Sequence, residues 1–160
     1  LYNENGVKGI VFLVEENGKH GKIVSMEESY GYYGYDSYVR SCKNLDNGLL
    51  NKEALYEAGA IYSSSYLMPP QSSVWYIPAI KELESLVQVV NVVNSSVVAN
   101  GGTPFTFSDY GDEAFYTSST NGNMVSWDST CMYGKDLAHP NANAIYATSG
   151  KVRCRTITTF

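Results

Sequence analysis

The 160 residues predict an α+β fold. Three observations carry that expectation. Two apolar runs near the start flank an Asn-Gly turn, two central stretches space their apolar residues three and four apart, and the last third is a series of short runs rich in Thr, Tyr, Phe, Val and Ile. A hairpin, then helices, then strands segregates the two kinds of element instead of alternating them.

The opening hairpin has Gly9 to Val14 and Lys22 to Met26 as its arms and Asn17-Gly18 as its turn signal. His20, in that turn, reads as a solvated side chain. Next comes SYGYYGYDSY, Ser29 to Tyr38, with five tyrosines and two glycines. Its place before the first helix predicts an ordered connection, with Tyr30 and Tyr38 turned inward and Tyr32, Tyr33 and Tyr35 partly exposed.

Asn51 is the expected N-cap of a first helix. Leu50 and Leu55 would form its hydrophobic staple, Glu53 favours the positive end, and Leu55, Ala58, Ile61 and Tyr62 keep helical spacing. Pro69-Pro70 marks a loop. A second helix is predicted from Pro78, whose missing N–H costs nothing in a first turn. Ile80, Leu83, Val87, Val90 and Val93 make its single apolar stripe, and ANGGTP, Ala99 to Pro104, ends it. PFTF, AFYTSST, MVSWDST, AIYATS and KVRCRTITTF then read as strands between polar, glycine-containing turns.

Composition bounds what such a fold can do. With 44% hydrophobic and 17% charged residues the chain can build its own core, and its length suits one domain over residues 1–160. A net charge of −5 without any long Lys/Arg run argues against nucleic acid as a partner. The longest apolar stretch, Leu86 to Val93, is interrupted by Gln88 and Asn91 and is too short to span a bilayer. Cys42, Cys131 and Cys154 lack C-x-x-C spacing; one disulfide with one thiol, and three buried thiols, both fit. Leu1 in place of Met fits a removed export signal or a trimmed end. Fourteen tyrosines suit a recognition surface as well as half-buried strand positions.

No G-x-S-x-G elbow, phosphate-cradling glycine loop or H-E-x-x-H occurs, so the chain is expected to be no enzyme and to need no cofactor or metal. Asp136 and His139 could serve a serine as base and orienter, but serines are so numerous that chance supplies the match. Asp109, Asp112 and Glu113 have the carboxylates for calcium and read as an acidic turn. Asn94-Ser95-Ser96 matches the N-glycosylation pattern at a helix end, where a structural role is the simpler reading.

WYIPAIKELESL, Trp75 to Leu86, resembles the Trp-x-(Leu/Ile)-Pro-x-x-x-Glu-Leu signature of the collagen-like-adhesin C-terminal domain family of bacteria. In the same order, Gly9 to Glu28 is similar to that family's opening hairpin, Ala114 to Thr120 to its aromatic–Ser/Thr strand, and Lys151 to Phe160 to its closing strand. The resemblance spans nearly the whole chain. It implies the C-type-lectin-like fold shared with formylglycine-generating enzymes, in which two helices flank small twisted antiparallel sheets and the N- and C-terminal strands pair. Trp75, Pro78, Glu82 and Leu83 are then structural. The copper cysteine pair of the enzymes and the calcium tripeptides of sugar-binding lectins have no counterpart here, so the resemblance brings no catalysis with it.

The expected function is that of an exported bacterial recognition or adhesion module, extracellular or at the cell surface, binding a carbohydrate or protein ligand. In such a fold the loops of the last third build the ligand face, which assigns Asn121, Asn123, Trp127, Asp128, Tyr133, Asp136, His139, Asn141 and Asn143, with Tyr32, Tyr33 and Tyr35 beside them. Rings would stack on the ligand while Asn and Asp orient it. Two alternatives stand: a structural subunit of a fimbria-like or other cell-surface assembly, and a hypervariable lectin-fold binder.

Overall fold

The computed structural model describes residues 1–15, 17–32, 42–58, 67–107, 115–121, 131–137, 143–147 and 151–160. Among the described residues nine strands and three helices follow in the order β1 (Tyr2–Glu4), β2 (Val7–Val14), β3 (Gly21–Ser25), β4 (Ser29–Tyr32), α1 (Gly48–Glu57), α2 (Ile80–Gln88), α3 (Val90–Ala99), β5 (Phe115–Asn121), β6 (Cys131–Asp136), β7 (Asn143–Ala147), β8 (Lys151–Cys154) and β9 (Ile157–Thr159). They form a four-stranded sheet, β1-β2-β3-β9, and a five-stranded sheet, β4-β8-β5-β6-β7. The architecture is α+β.

The predicted hairpin is β2–β3, antiparallel, with a bulge between Val11 and Leu13. A second, tighter hairpin precedes it, because Asn5 (φ 52°) and Gly6 (φ 78°) both take the left-handed backbone that a two-residue hairpin turn requires. Hydropathy does not announce this one, since Tyr2–Glu4 is short and polar. The chain's last strand pairs with β3, the second arm of the predicted hairpin, and not with β1. The two ends still meet through the rings of Tyr2 and Phe160, 5.3 Å apart.

Three expectations need correction. The first helix is capped by Asn47, whose side chain accepts from Leu49 N–H (3.0 Å) and Leu50 N–H (3.3 Å). Asn51 lies a turn inside and is buried, while Leu50, within the helix, is 48% exposed. Two asparagines one turn apart both look like caps, and the one followed by Gly48 wins because only a glycine fits there. A Cβ at Gly48 would stand 2.2 Å from the Ile77 carbonyl oxygen.

Second, the long amphipathic helix is two helices, making three among the described residues, with a break at Val89 (φ −116°, ψ 10°). Val89 N–H bonds to Leu86 O at 3.1 Å, three residues back, so the last turn of α2 tightens. The apolar stripe nonetheless runs through both helices as Ile80, Leu83, Leu86, Val87, Val90, Val93 and Val97. α3 ends in a Schellman motif, with Gly102 N–H on Val97 O (2.9 Å), Gly101 N–H on Val98 O (3.1 Å), and Gly101 at φ 79°.

Third, KVRCRTITTF is not one strand. β8 joins the five-stranded sheet and β9 the four-stranded one, and the switch falls at Arg155-Thr156. The stripe of α2 and α3 packs on Ile10, Val24 and Ile157 of the first sheet, on Met26 just past β3, and on Tyr116, forming the main core. A smaller core gathers Cys42, Leu55, Met68, Ile77 and Cys154. Both cysteines in it are buried thiols.

Candidate functional site

Two buried carboxylates fix the platform from which the C-terminal connections spring. Glu82, 3% exposed, joins the starts of two helices. Its Oε2 accepts from Ala79 N–H at the cap of α2 (2.8 Å) and from Gly48 N–H at the first residue of α1 (2.9 Å). Its Oε1 accepts from Lys22 Nζ (2.6 Å) and from the Tyr76 hydroxyl (3.3 Å). Burial, with Glu82 alongside, raises the Tyr76 phenol above its ordinary pKa, so the hydroxyl stays a donor.

Glu28 is the second node. It accepts from the Tyr116 hydroxyl, from Thr106 N–H (3.2 Å) and Oγ1 (3.0 Å), and from Arg153 Nη1 (2.8 Å). Beside it lies Arg155, 1% exposed, with its Nε 3.9 Å from Glu28 Oε2. The Arg155 guanidinium donates to the carbonyls of Ser25 (3.1 Å), Met26 (2.9 Å) and Thr103, and lies 4.1 Å from the Phe105 ring centroid. Burial lowers its pKa and Glu28 opposes that shift. This side chain stitches the strand switch of the chain end to the first sheet. The alternation of Arg153 and Arg155 in the closing segment was its one visible signal in the sequence.

β5 runs between these nodes. Thr117, Ser118, Ser119 and Thr120 are all buried; Thr117 Oγ1 donates to Ser118 O (2.9 Å) and Ser118 Oγ accepts from Thr120 N–H (3.2 Å) within the strand, while Ser119 and Thr120 meet the helices. Thr120 Oγ1 takes the Ile80 N–H of α2 (3.0 Å), which Ala79 has no side-chain oxygen to cap. Ser119 N–H bonds to Pro78 O (2.7 Å), and Ser119 Oγ accepts from the buried Asn51 (3.1 Å). Lys135 of β6 pairs with Glu84 of α2 at 3.1 Å. The predicted structural residues sit in this frame. Pro78 and Leu83 are buried, and Trp75 is half-buried with its carbonyl accepting from Lys52 Nζ at 3.0 Å. Asn94 is also structural, since its Oδ1 accepts from Phe105 N–H at 2.8 Å.

Four of the predicted binding residues of the last third stand on described strands. β5, β6 and β7 are an antiparallel meander, so its two connections leave from opposite ends of β6. Asn121 stands opposite Met132 at one end, where the connection carrying Asn123, Trp127 and Asp128 begins. Asp136 faces Phe115 and Asn143 faces Lys135 at the other end, which the connection with His139 and Asn141 joins. Tyr133, opposite Ile145, lies between. The five steps of β6 separate the two ends by about 17 Å. Of the predicted binding residues in the last third the structure thus describes strand positions alone, Asn121 towards one end of β6, Asp136 and Asn143 towards the other, and Tyr133 between them.

Tyr32 ends β4, opposite Lys151 on β8. Asn123, Trp127, Asp128, His139, Asn141, Tyr33 and Tyr35 lie outside the described residues, as do Tyr38, Ile61, Tyr62, Asp109, Asp112 and Glu113. Tyr30, expected inward, is 44% exposed, with Lys151 Nζ 5.9 Å and Arg153 Cζ 5.1 Å from its ring centroid. The cations explain the correction, because a ring can stay at the surface when its face is occupied by charge. Among the described residues no cluster of three or more His, Cys, Asp or Glu could hold a metal ion, and no helix is long and apolar enough to cross a membrane.

No protein-family model matches the sequence, and no curated protein is similar to it. Among solved structures the chain is similar to a fimbrial protein from Bacteroides ovatus, with a TM-score of 0.57 and 16% identity over 86% of this chain. The likeness is one of fold. This chain spans about a third (35%) of the length of that protein.

Proposed function

We propose that this chain is a structural part of a fimbria-like assembly at the bacterial cell surface. The observation that carries this reading is the fold it shares over 86% of its length with a fimbrial protein. A frame pinned by partly buried ion pairs and helix-to-strand hydrogen bonds suits a part that must keep its shape within a larger array. The test is immunogold labelling of intact cells with antibodies raised against the purified chain. Gold along surface fibres supports the reading; gold confined to the cytoplasm, or absent from purified fibres, overturns it. Export follows from this reading and is tested with it.

The finer fold assignment, C-type-lectin-like, belongs with this proposal. Its support is the pairing of the last strand with the opening hairpin and the packing of α2 and α3 across that sheet. A recognition role remains a second reading, favoured by the Asn-, Trp- and Asp-containing connection that begins at Asn121. A glycan and peptide array probed with and without calcium tests it. Binding that survives joint replacement of Trp127 and Asp128 by alanine would remove that end of the meander from consideration.

A further inference from the structure

An asparagine side chain is most open to attack by its own backbone when glycine follows, because no Cβ hinders the approach. Four such pairs lie wholly among the described residues: Asn5-Gly6, Asn17-Gly18, Asn47-Gly48 and Asn100-Gly101. In three of them the glycine N–H is engaged. Gly18 N–H bonds to Glu15 O (2.9 Å), Gly48 N–H to Glu82 Oε2 (2.9 Å) and Gly101 N–H to Val98 O (3.1 Å). Two of the asparagine side chains are engaged as well, Asn47 accepting from Leu49 and Leu50 N–H and Asn100 Nδ2 donating to Ser96 O at 2.8 Å. A nitrogen held by an acceptor cannot turn onto the side chain behind it.

Asn5-Gly6 differs on each count. Among the described residues the Gly6 N–H donates no hydrogen bond, both residues are exposed, and a Cβ built on Gly6 would meet no atom within 4 Å. The turn closes β1, three residues long at the edge of its sheet, whereas the Asn17-Gly18 turn closes β2–β3, a pair held between β1 and β9. Opening a short edge strand costs far less than opening an inner pair. We propose that Asn5 is a site of spontaneous succinimide formation, reached when β1 opens from β2. The Gly6 backbone nitrogen gives its proton to solvent base and attacks Asn5 Cγ. The new N–Cγ bond replaces the Cγ–Nδ2 bond, and ammonia leaves with a proton taken from water. Water then opens the ring at either carbonyl, giving aspartate or isoaspartate at position 5 and one more negative charge. Isoaspartate carries the backbone through an extra carbon, which a two-residue turn with φ 52° and 78° cannot absorb. The β1–β2 ladder, from Tyr2 on Gly9 to Glu4 on Val7, is then lost.

The site stands apart from the assembly reading and fails or holds without it. The purified chain is kept in mildly alkaline buffer and sampled by peptide mapping with mass spectrometry, which follows aspartate and isoaspartate at residues 5, 17, 47 and 100. Conversion at residue 5 should run several-fold faster than at the other three, and in urea the four rates should converge, since the protection belongs to the fold. Tyr2 holds β1 through its ring contact with Phe160, 5.3 Å between centroids, so Tyr2→Ala should speed residue 5 several-fold and leave the others unchanged. Amide exchange at residues 2–4 should quicken in the isoaspartate form. A folded chain in which Asn17, Asn47 or Asn100 converts as fast as Asn5 overturns the proposal, as does an Asn5 that stays intact while the urea-unfolded chain converts. An unchanged rate at residue 5 in a folded Tyr2→Ala chain removes the opening of β1 as the gate, and unchanged exchange at residues 2–4 removes the loss of the ladder. If that variant fails to fold, the comparison of the four sites in the unsubstituted chain decides the matter.

Discussion

Replacing Glu82 by Gln is the sharpest test of how this fold is held together. The carboxylate accepts four hydrogen bonds, from Ala79 N–H, Gly48 N–H, Lys22 Nζ and the Tyr76 hydroxyl. Glutamine is the same size but brings one acceptor and one donor. Whichever way its amide turns, its NH2 faces two other donors, and the Lys22 ammonium loses its counter-charge. Removing one member of a buried pair costs about 3–5 kcal/mol. Lys22 keeps some contact with water, its side chain being 16% exposed, so the lower end applies, about 3 kcal/mol. For a chain of this length that is a fall of roughly 6–12 °C in melting temperature. Urea unfolding followed by circular dichroism should show a lower midpoint with an unchanged slope. Lys22→Met in the Glu82→Gln background should cost much less than Lys22→Met alone, which isolates the pair. A loss below about 1 kcal/mol for Glu82→Gln would refute the claim that this carboxylate joins the two helix starts.

Other consequences follow from the same coordinates. Gly48→Ala drives a Cβ into the Ile77 carbonyl oxygen and should lower the urea midpoint by the equivalent of roughly 2 kcal/mol or more, although alanine is the better helix former. Arg155→Lys keeps the charge but cannot serve three carbonyls and a ring face at once. It should cost about 2–4 kcal/mol in the same assay, and a near-neutral result would remove Arg155 as the stitch at the strand switch. Burial pushes the Cys154 thiol from 9.0 up to about 12. The unfolded chain therefore loses this proton first, and the thiol's contribution, whole below about pH 9, drains away towards pH 12 at about 1 kcal/mol per pH unit. Burial lowers Lys52 and so works in the opposite direction in this window, which makes the difference between the native chain and Cys154→Ala the quantity to measure. Its alkaline slope should be shallower in the variant.

Much of this molecule was legible before any coordinates. The β2–β3 hairpin follows from Asn17-Gly18 between apolar arms, and the buried stripe from Ile80 to Val97 follows from a spacing that helical geometry demands. The segregation of helices from strands gave the α+β class. The strand ends that carry the predicted binding residues were not legible, because Asn, Trp and Asp abundance in the last third says nothing about which end of a sheet a strand terminus occupies. That depends on strand direction, and a meander alternates it.

Local pattern by itself determined where the backbone would coil or extend, because turns, caps and apolar periods act through neighbours a few residues apart. Only the tertiary structure decided which asparagine would cap α1, where the amphipathic run would break, and how the last ten residues divide between two sheets. Those choices were settled by distant partners: the Ile77 carbonyl against Gly48, Glu82 across 34 residues, and Arg155 reaching Ser25 and Met26. A sequence records which hydrogen-bonding groups exist. Burial decides which of them must find each other, because leaving one unpaired away from water costs more than most single contacts return.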